Sequence, residues 1–147
     1  MLDAFDILFN LETKLRIFIH TIMTERFGHS WYKQRVPGEL CKDWQKKRII
    51  ALSKKEKEYP LLWYADFTDY IKIIEQNHNW NDVFRPVFQT KIDIQTSFQR
   101  LFPIRICIAH QRPITKEDFL LLTVESHRIL RAIDELSAGG NPPDTTT

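Results

Sequence analysis

The sequence is poor in the residues that interrupt helices, form disulfides or bind metals. Only 4 Gly and 7 Pro occur in 147 residues, and no series of short β-branched segments separated by turn residues is present. A β-sandwich or β-barrel is therefore not indicated. Cys41 and Cys107 lie far apart, without a His/Cys cluster beside either one. We expect no disulfide framework, no metal, no other cofactor and a reducing compartment.

The sequence also lacks a basic, apolar leader and a long uncharged apolar run. Asp3 and Asp6 lie where a signal peptide would carry Lys or Arg, and no stretch is long and apolar enough to predict a membrane span. We therefore expect a cytoplasmic protein without membrane insertion. With 43% hydrophobic residues, a chain of 147 residues can bury the core of one compact domain.

The apolar residues recur at helical spacing. A first helix is predicted from about Asp3 to Phe27, with Gly28 ending it. Its apolar seam, at alternating spacings of four and three, comprises Ala4, Leu8, Leu11, Leu15, Phe18 and Ile22. Further helices are predicted at about 39–57, 61–77 and 90–109, the last one interrupted or bent at Pro103, and a fifth begins after Thr115.

These helices predict an all-α fold. We expect residues 1–136 to form an antiparallel bundle of four main helices plus an accessory helix. Asp66 is expected to cap the third helix, with Asp69 as a surface acid one turn later. Residues 137–147 contain no large apolar side chain and are expected to be a disordered tail.

Positive charge is concentrated between Trp31 and Lys57. Nine Lys/Arg stand against three acids in this segment, a local excess of +6. Two interpretations stay open, a solvated helix face and a surface that binds phosphates.

An arginine occupies a position that the pattern of the fourth helix reserves for apolar residues. Ile94, Phe98, Leu101, Arg105 and Ile108 follow the same rhythm of four and three. A guanidinium at such a position must contact an acid, a phosphate or the water of a cleft, because burying an unpaired charge is costly. An internal ion pair, for instance with Glu12, or a side chain that reaches the edge of the bundle are the structural alternatives.

His110 follows at the end of the same helix, where the macrodipole favours an imidazolium and a simple C-terminal cap is the structural alternative. Five residues of helix separate its side chain from that of Arg105 by about 140°. The two side chains converge only if the last turn loosens or if two copies of the helix meet across a dimer axis. His20, His29, His78 and His127 have no evident partners in the sequence.

The segment Arg105-Ile-Cys-Ile-Ala-His110 resembles the R-x4-H motif of HEPN domains, and it precedes a final helix as in that family. Three other segments are similar to the Swt1-like branch: Leu11-Glu-Thr-Lys-Leu-Arg16-Ile-Phe-Ile19, Gly28-His-Ser-Trp31, and Leu62-Trp-Tyr-Ala-Asp66-Phe-Thr-Asp-Tyr-Ile-Lys-Ile-Ile74 followed by Trp80 and Phe84. The resemblance covers roughly Leu8 to Leu136.

The resemblance implies a metal-independent endoribonuclease that cleaves single-stranded RNA and acts as a homodimer, with two motifs in one cleft. Arg105 would bind phosphate, and His110 would act as acid or base in the attack of a ribose 2′-hydroxyl. Residues expected to contact RNA are Lys42, Lys46, Lys47, Arg48 and Arg112. A defence, toxin or RNA-processing system is implied, with an antitoxin or operon partner protein.

Ile106 departs from the family pattern, because many active members carry a polar residue, often asparagine, after the arginine. The alternative function is therefore a non-catalytic module that binds RNA or a protein partner. Arg112 stands where some related toxins carry a tyrosine that is modified, so we expect no such modification here.

Overall fold

The computed structural model describes residues 3–139, with the surroundings of side chains given as far as residue 136. It contains five helices of nine residues or more. They are α1 (Ala4–Phe27), α2 (Gly38–Ser53), α3 (Phe67–Glu75), α4 (Lys91–Ala109) and α5 (Lys116–Gly139). Short helical turns at Tyr32–Arg35, Leu61–Tyr64, Asn77–Asn79, Trp80–Phe84 and Arg85–Phe88 connect them. No strand occurs in this part of the chain, and the predicted all-α fold is confirmed.

Four helices share the core and one is accessory. Helix α5 contacts both α1 and α4, and α3 packs against α4 and α1. The accessory α2 contacts the 3-10 turn at Leu61–Tyr64, and its buried anchor is Trp44, whose indole Nε1 donates to the Asp69 carboxylate at 2.9 Å. Within residues 3–139, no helix has the length and apolarity to cross a bilayer.

Helix α1 has the ends that the sequence predicts. The Asp3 side chain accepts from the backbone N–H of Asp6, and Gly28 ends the helix at a φ of +84°. Its buried row is Leu8, Leu11, Leu15, Ile19 and Met23. The row therefore shifts by one position after Leu15 relative to the predicted seam, because a straight helix drifts from a 3.5-residue repeat.

Two predicted boundaries differ from the structure. Helix α2 ends at Ser53 instead of 57, and the predicted helix at 61–77 is divided into a 3-10 turn and α3. Asp66 causes the division, since it caps α3 in a reciprocal capping box with Asp69. Asp69 is not a surface acid as predicted: it is only 4% exposed.

The last two helices position the predicted motif. Helix α4 runs through Pro103 without interruption, with the proline on its exposed side. The hydroxyl of Thr115 accepts from the backbone N–H of Asp118 at the start of α5, as the capping pattern predicts. Helix α5 continues through Gly139, and the rest of the predicted tail, 140–147, lies outside the described residues.

Candidate functional site

Arg105 lies on the flank of α4 and beside its buried row. The buried row shifts to Ile104, which is 2% exposed, so Arg105 points past the edge of the core. Its Nε donates to Oε1 of Glu12 on α1 at 3.0 Å. The Arg105 and Glu12 side chains keep 31% and 21% of their surface exposed. The ion pair considered as an alternative from the sequence is therefore present, and it is open to solvent.

This ion pair forms part of the wall of an open pocket between the start of α1 and the end of α4. The pocket has a volume of about 280 Å³. The other lining residues are Phe5, Leu8, Phe9, Ile108, Ala109 and Gln111. Phe5 and Phe9 are each 61% exposed, and their rings stack with centroids 6.1 Å apart. The pocket thus joins one polar pair to an exposed aromatic surface.

His110 is the C-cap of α4, and its side chain is exposed. No hydrogen bond or ion pair of this side chain occurs among the described residues, and it is not part of the pocket wall. The structure therefore does not bring His110 and Arg105 together by a direct contact within one chain. This agrees with the angle expected for a separation of five residues in a helix.

The backbone after His110 is held in an uncommon conformation. Gln111 has a φ of +55°, its N–H donates to the carbonyl of Ile108, and the N–H of Arg112 donates to the carbonyl of Cys107 at 2.8 Å. These two hydrogen bonds are the pattern of a Schellman cap. The left-handed position of that cap, here Gln111, is usually occupied by glycine. A non-glycine residue with left-handed backbone is a strained position of the kind often found at functional sites.

A polar strip on α1, formed by Glu12, Arg16 and His20, adjoins the ion pair. The sequence places Glu12 and Arg16 one turn apart, but it did not predict the contacts of Arg16 and His20. Arg16 lies one turn after Glu12, and its Nε donates to the Tyr70 hydroxyl at 2.8 Å. The Arg16 guanidinium also lies 5.8 Å from the ring centroid of Trp63, and the His20 ring meets Trp63 edge-on at 5.1 Å. The repeat of Glu12, Arg16 and His20 at a spacing of four was the available signal.

Burial shifts the pKa of His20 in this strip and of Tyr70, the hydroxyl partner of Arg16. Burial and the charge of His29 lower the pKa of His20 below its ordinary value, which favours the neutral imidazole. Burial raises the pKa of Tyr70, although the neighbouring Arg16 opposes the shift. Tyr70 therefore stays a neutral hydroxyl that accepts from Arg16 at physiological pH.

The basic residues predicted to contact RNA differ in their surroundings. Lys42, Lys46 and Arg112 are exposed. Lys47 forms ion pairs with Asp43 at 3.0 Å and with Asp66 at 3.3 Å, and Arg48 lies 4.0 Å from Glu58. Burial opposes the charge of Lys47, but its two carboxylate partners outweigh that effect and raise its pKa. Lys47 therefore stays charged and is paired with two carboxylates of the protein, whereas the three exposed residues face solvent.

Three carboxylates converge near Lys47. Oxygens of Asp43, Asp66 and Asp69 lie within 4.8 Å of one another. The ammonium of Lys47 contacts two of these acids, and Asp69 accepts from Trp44 and from the backbone N–H of Asp66. These contacts belong to the N-terminal cap of α3 and to the buried Trp44 that anchors α2.

A buried acid on α5 was also missed by sequence reasoning. Glu125 is 1% exposed and accepts from the Ser97 hydroxyl at 2.6 Å and from Arg100 at 2.9 Å. Burial alone would raise the pKa of Glu125, but these two bonds and the charge of Arg128 hold it below its ordinary value. The cluster joins α4 to α5.

Comparison with known proteins identifies the family of this fold. Residues 6–134 match the family described as Swt1-like HEPN, which covers nearly all of the described chain. No match is found among curated proteins or among solved structures. Because the family match extends over most of the chain and includes α1, α3, α4 and α5, the protein belongs to the Swt1-like HEPN family.

Proposed function

We propose that this protein is a metal-independent endoribonuclease that cleaves single-stranded RNA through Arg105 and His110 at a homodimer interface. The observation that carries the proposal is the state of Arg105. Its guanidinium is bound by Glu12, and its side chain is still 31% exposed at an open pocket. A cation that is held in place yet reachable from solvent is suited to bind a phosphate.

The contact with Glu12 leaves the phosphate-binding side of Arg105 available. The ion pair uses Nε, and no other hydrogen bond of the guanidinium occurs among the described residues. The two terminal nitrogens can therefore donate to a phosphate, for which the planar guanidinium is well suited. Fixing the cation before the ligand arrives also reduces the reorganisation needed in the transition state.

His110 supplies the proton transfer in this proposal. Histidine can accept or donate a proton near neutral pH, as attack by a ribose 2′-hydroxyl requires. Oxygen attack on phosphorus and departure of the 5′-oxygen leave a 2′,3′-cyclic phosphate. The exposed imidazole is free of protein partners in the described residues, so it is accessible to RNA.

A second copy of the chain completes the proposed site. Phe5 and Phe9 form an exposed apolar surface at the pocket, and such surfaces are typical of interfaces. A symmetric dimer on this face would place the His110 of one subunit near the Arg105 of the other. In such a dimer the two residues of one site come from different subunits, so they need not meet within a single chain.

The remaining parts of the proposal concern RNA and partners. Lys42, Lys46 and Arg112 are exposed and can contact phosphates directly, and Lys47 and Arg48 would contribute if RNA displaced their carboxylate partners. A cytoplasmic role in a defence, toxin or RNA-processing system, with an antitoxin or operon partner protein, belongs to the same proposal.

The test is cleavage of single-stranded RNA by wild type and His110→Ala, in buffer containing a metal chelator. We expect the wild type to produce 2′,3′-cyclic ends and His110→Ala to lose at least about 100-fold in rate. His127→Ala is the matched control, because His127 is an exposed histidine on α5. Equal cleavage by wild type and His110→Ala, or no cleavage by either, would overturn the nuclease proposal.

The second candidate is a module that binds RNA or protein without cleaving. It is favoured by Ile106 beside Arg105 and by the absence of His110 from the pocket wall. This candidate predicts that the affinity for RNA falls steeply as the salt concentration rises and that no cleavage product forms. No RNA binding at low salt would leave only the protein-binding form of this candidate.

A further inference from the structure

The polar strip of α1 carries a second arginine, Arg16, whose charge has no ion-pair partner among the described residues. Arg16 is half-buried, and no carboxylate of residues 3–136 lies within 4.0 Å of its guanidinium. Glu12, the acid one turn earlier on α1, is bound to Arg105. Asp69, the other acid near Tyr70, accepts from Trp44 and from the backbone. Of the two arginines, only Arg105 is therefore paired with a carboxylate among the described residues.

An aromatic surface lies directly against this arginine. Trp63 is half-buried in the 3-10 turn, with the Arg16 guanidinium 5.8 Å from its ring centroid. The imidazole of His20 meets the same indole edge-on. A cation beside an aromatic ring is a recurrent feature of sites that bind single-stranded nucleic acid, because the cation contacts the backbone and the ring contacts a base.

The strip is continuous with the proposed catalytic pocket. Glu12, Arg16 and His20 are spaced by four residues, so each lies about 6 Å from the last along α1. Glu12 contacts Arg105, which places Arg16 one helical turn from the proposed phosphate site. An RNA strand bound at Arg105 and running along α1 would meet Arg16 next.

We propose that Arg16, Trp63 and His20 form a subsite for the nucleotide next to the cleaved phosphate of single-stranded RNA. Arg16 donates to that nucleotide's phosphate through the nitrogens not used by Tyr70, and Trp63 and His20 contact its base. The neutral state of His20 suits contact with a base and avoids repulsion of Arg16. This inference rests on the proposed function, since it places the substrate relative to Arg105.

The test measures binding of a short fluorescent single-stranded RNA in a His110→Ala background, which separates binding from cleavage. Arg16→Ala and Trp63→Leu should each weaken binding by about tenfold. Arg16→Ala should also reduce the slope of affinity against salt by about one unit. Tyr70→Phe, which removes the hydrogen bond to Arg16 but keeps the guanidinium, should retain affinity within about threefold.

The matched control is Arg131→Ala, because Arg131 is an exposed arginine on α5 that pairs with Glu135. Circular dichroism confirms that each variant is folded. If the His110→Ala parent binds RNA and the Arg16 and Trp63 variants bind equally well, the subsite is overturned while the proposed function stands. If neither wild type nor the parent binds RNA, the proposed function itself fails.

Discussion

Replacing Glu12 by glutamine separates the two roles that Arg105 can have. If the ion pair only stabilises the bundle, Glu12→Gln should affect stability and nothing else. If Arg105 is a phosphate ligand held by Glu12, the substitution removes a negative charge from beside the bound phosphate and loosens the guanidinium. RNA binding should then become tighter while cleavage becomes slower.

The structure sets the size of both effects. The ion pair is intermediate between exposed and buried, with 31% and 21% of its side-chain surfaces accessible, so its loss should cost about 1 kcal/mol in unfolding free energy. A phosphate on the terminal nitrogens of Arg105 would lie roughly 6 Å from the Glu12 carboxylate. At that distance the repulsion is about 0.7 kcal/mol in water-like surroundings and about twice that in a less polar site, so affinity should rise about three- to tenfold.

The assay combines urea unfolding, RNA binding in the His110→Ala background and single-turnover cleavage. Glu25→Gln is the control, since Glu25 is an exposed acid on the same helix. An unfolding free energy lowered by more than about 3 kcal/mol, together with unchanged RNA affinity, would refute the reasoning, because that result is typical of a buried structural pair.

Two further predictions concern other parts of the molecule. The folded-state pKa of Glu125 lies below its ordinary value of 4.5, so its contribution to stability is present above that pH and is lost as the pH falls through the folded-state pKa. Urea titrations at decreasing pH should show this loss in wild type and a weaker one in Glu125→Gln; equal acid sensitivity of the two proteins would contradict it. Phe9→Glu should produce a monomer in light scattering at concentrations where wild type is dimeric, with cleavage reduced in parallel, whereas an active monomer would remove the interface from the proposal.

Long periodic segments could be predicted from the sequence almost to the residue. Helix α1 starts after Asp3 and ends before Gly28, as expected, because a cap and a glycine enclose an amphipathic run. The segment 61–77 was less predictable. Its apolar residues continue across Asp66, but the capping box there starts a new helix. Local hydrogen bonding therefore decided a boundary that hydrophobic periodicity could not.

The site was only partly predictable, because its contacts depend on how each helix is rotated about its own axis. Glu12 could be named as a possible partner of Arg105 because a guanidinium in an apolar seam needs an acid. Arg16 and Tyr70 are separated by 54 positions, so their contact depends on how α1 and α3 are rotated against each other. A shift of one residue in the buried row, as occurs after Leu15, changes which side chains meet. Single-sequence periodicity does not determine that shift.

The separation of Arg105 and His110 leads to a last prediction. If each active site takes Arg105 from one subunit and His110 from the other, a mixture of Arg105→Ala and His110→Ala proteins contains heterodimers with one complete site. Random pairing makes half of the dimers mixed, and each has one of two sites intact, so an equal mixture should recover about a quarter of wild-type activity. Each variant alone should be nearly inactive, and exchange of subunits is measured separately by co-purification of differently tagged copies. No recovery after exchange, despite a dimer in solution, would mean that each chain must supply both residues itself.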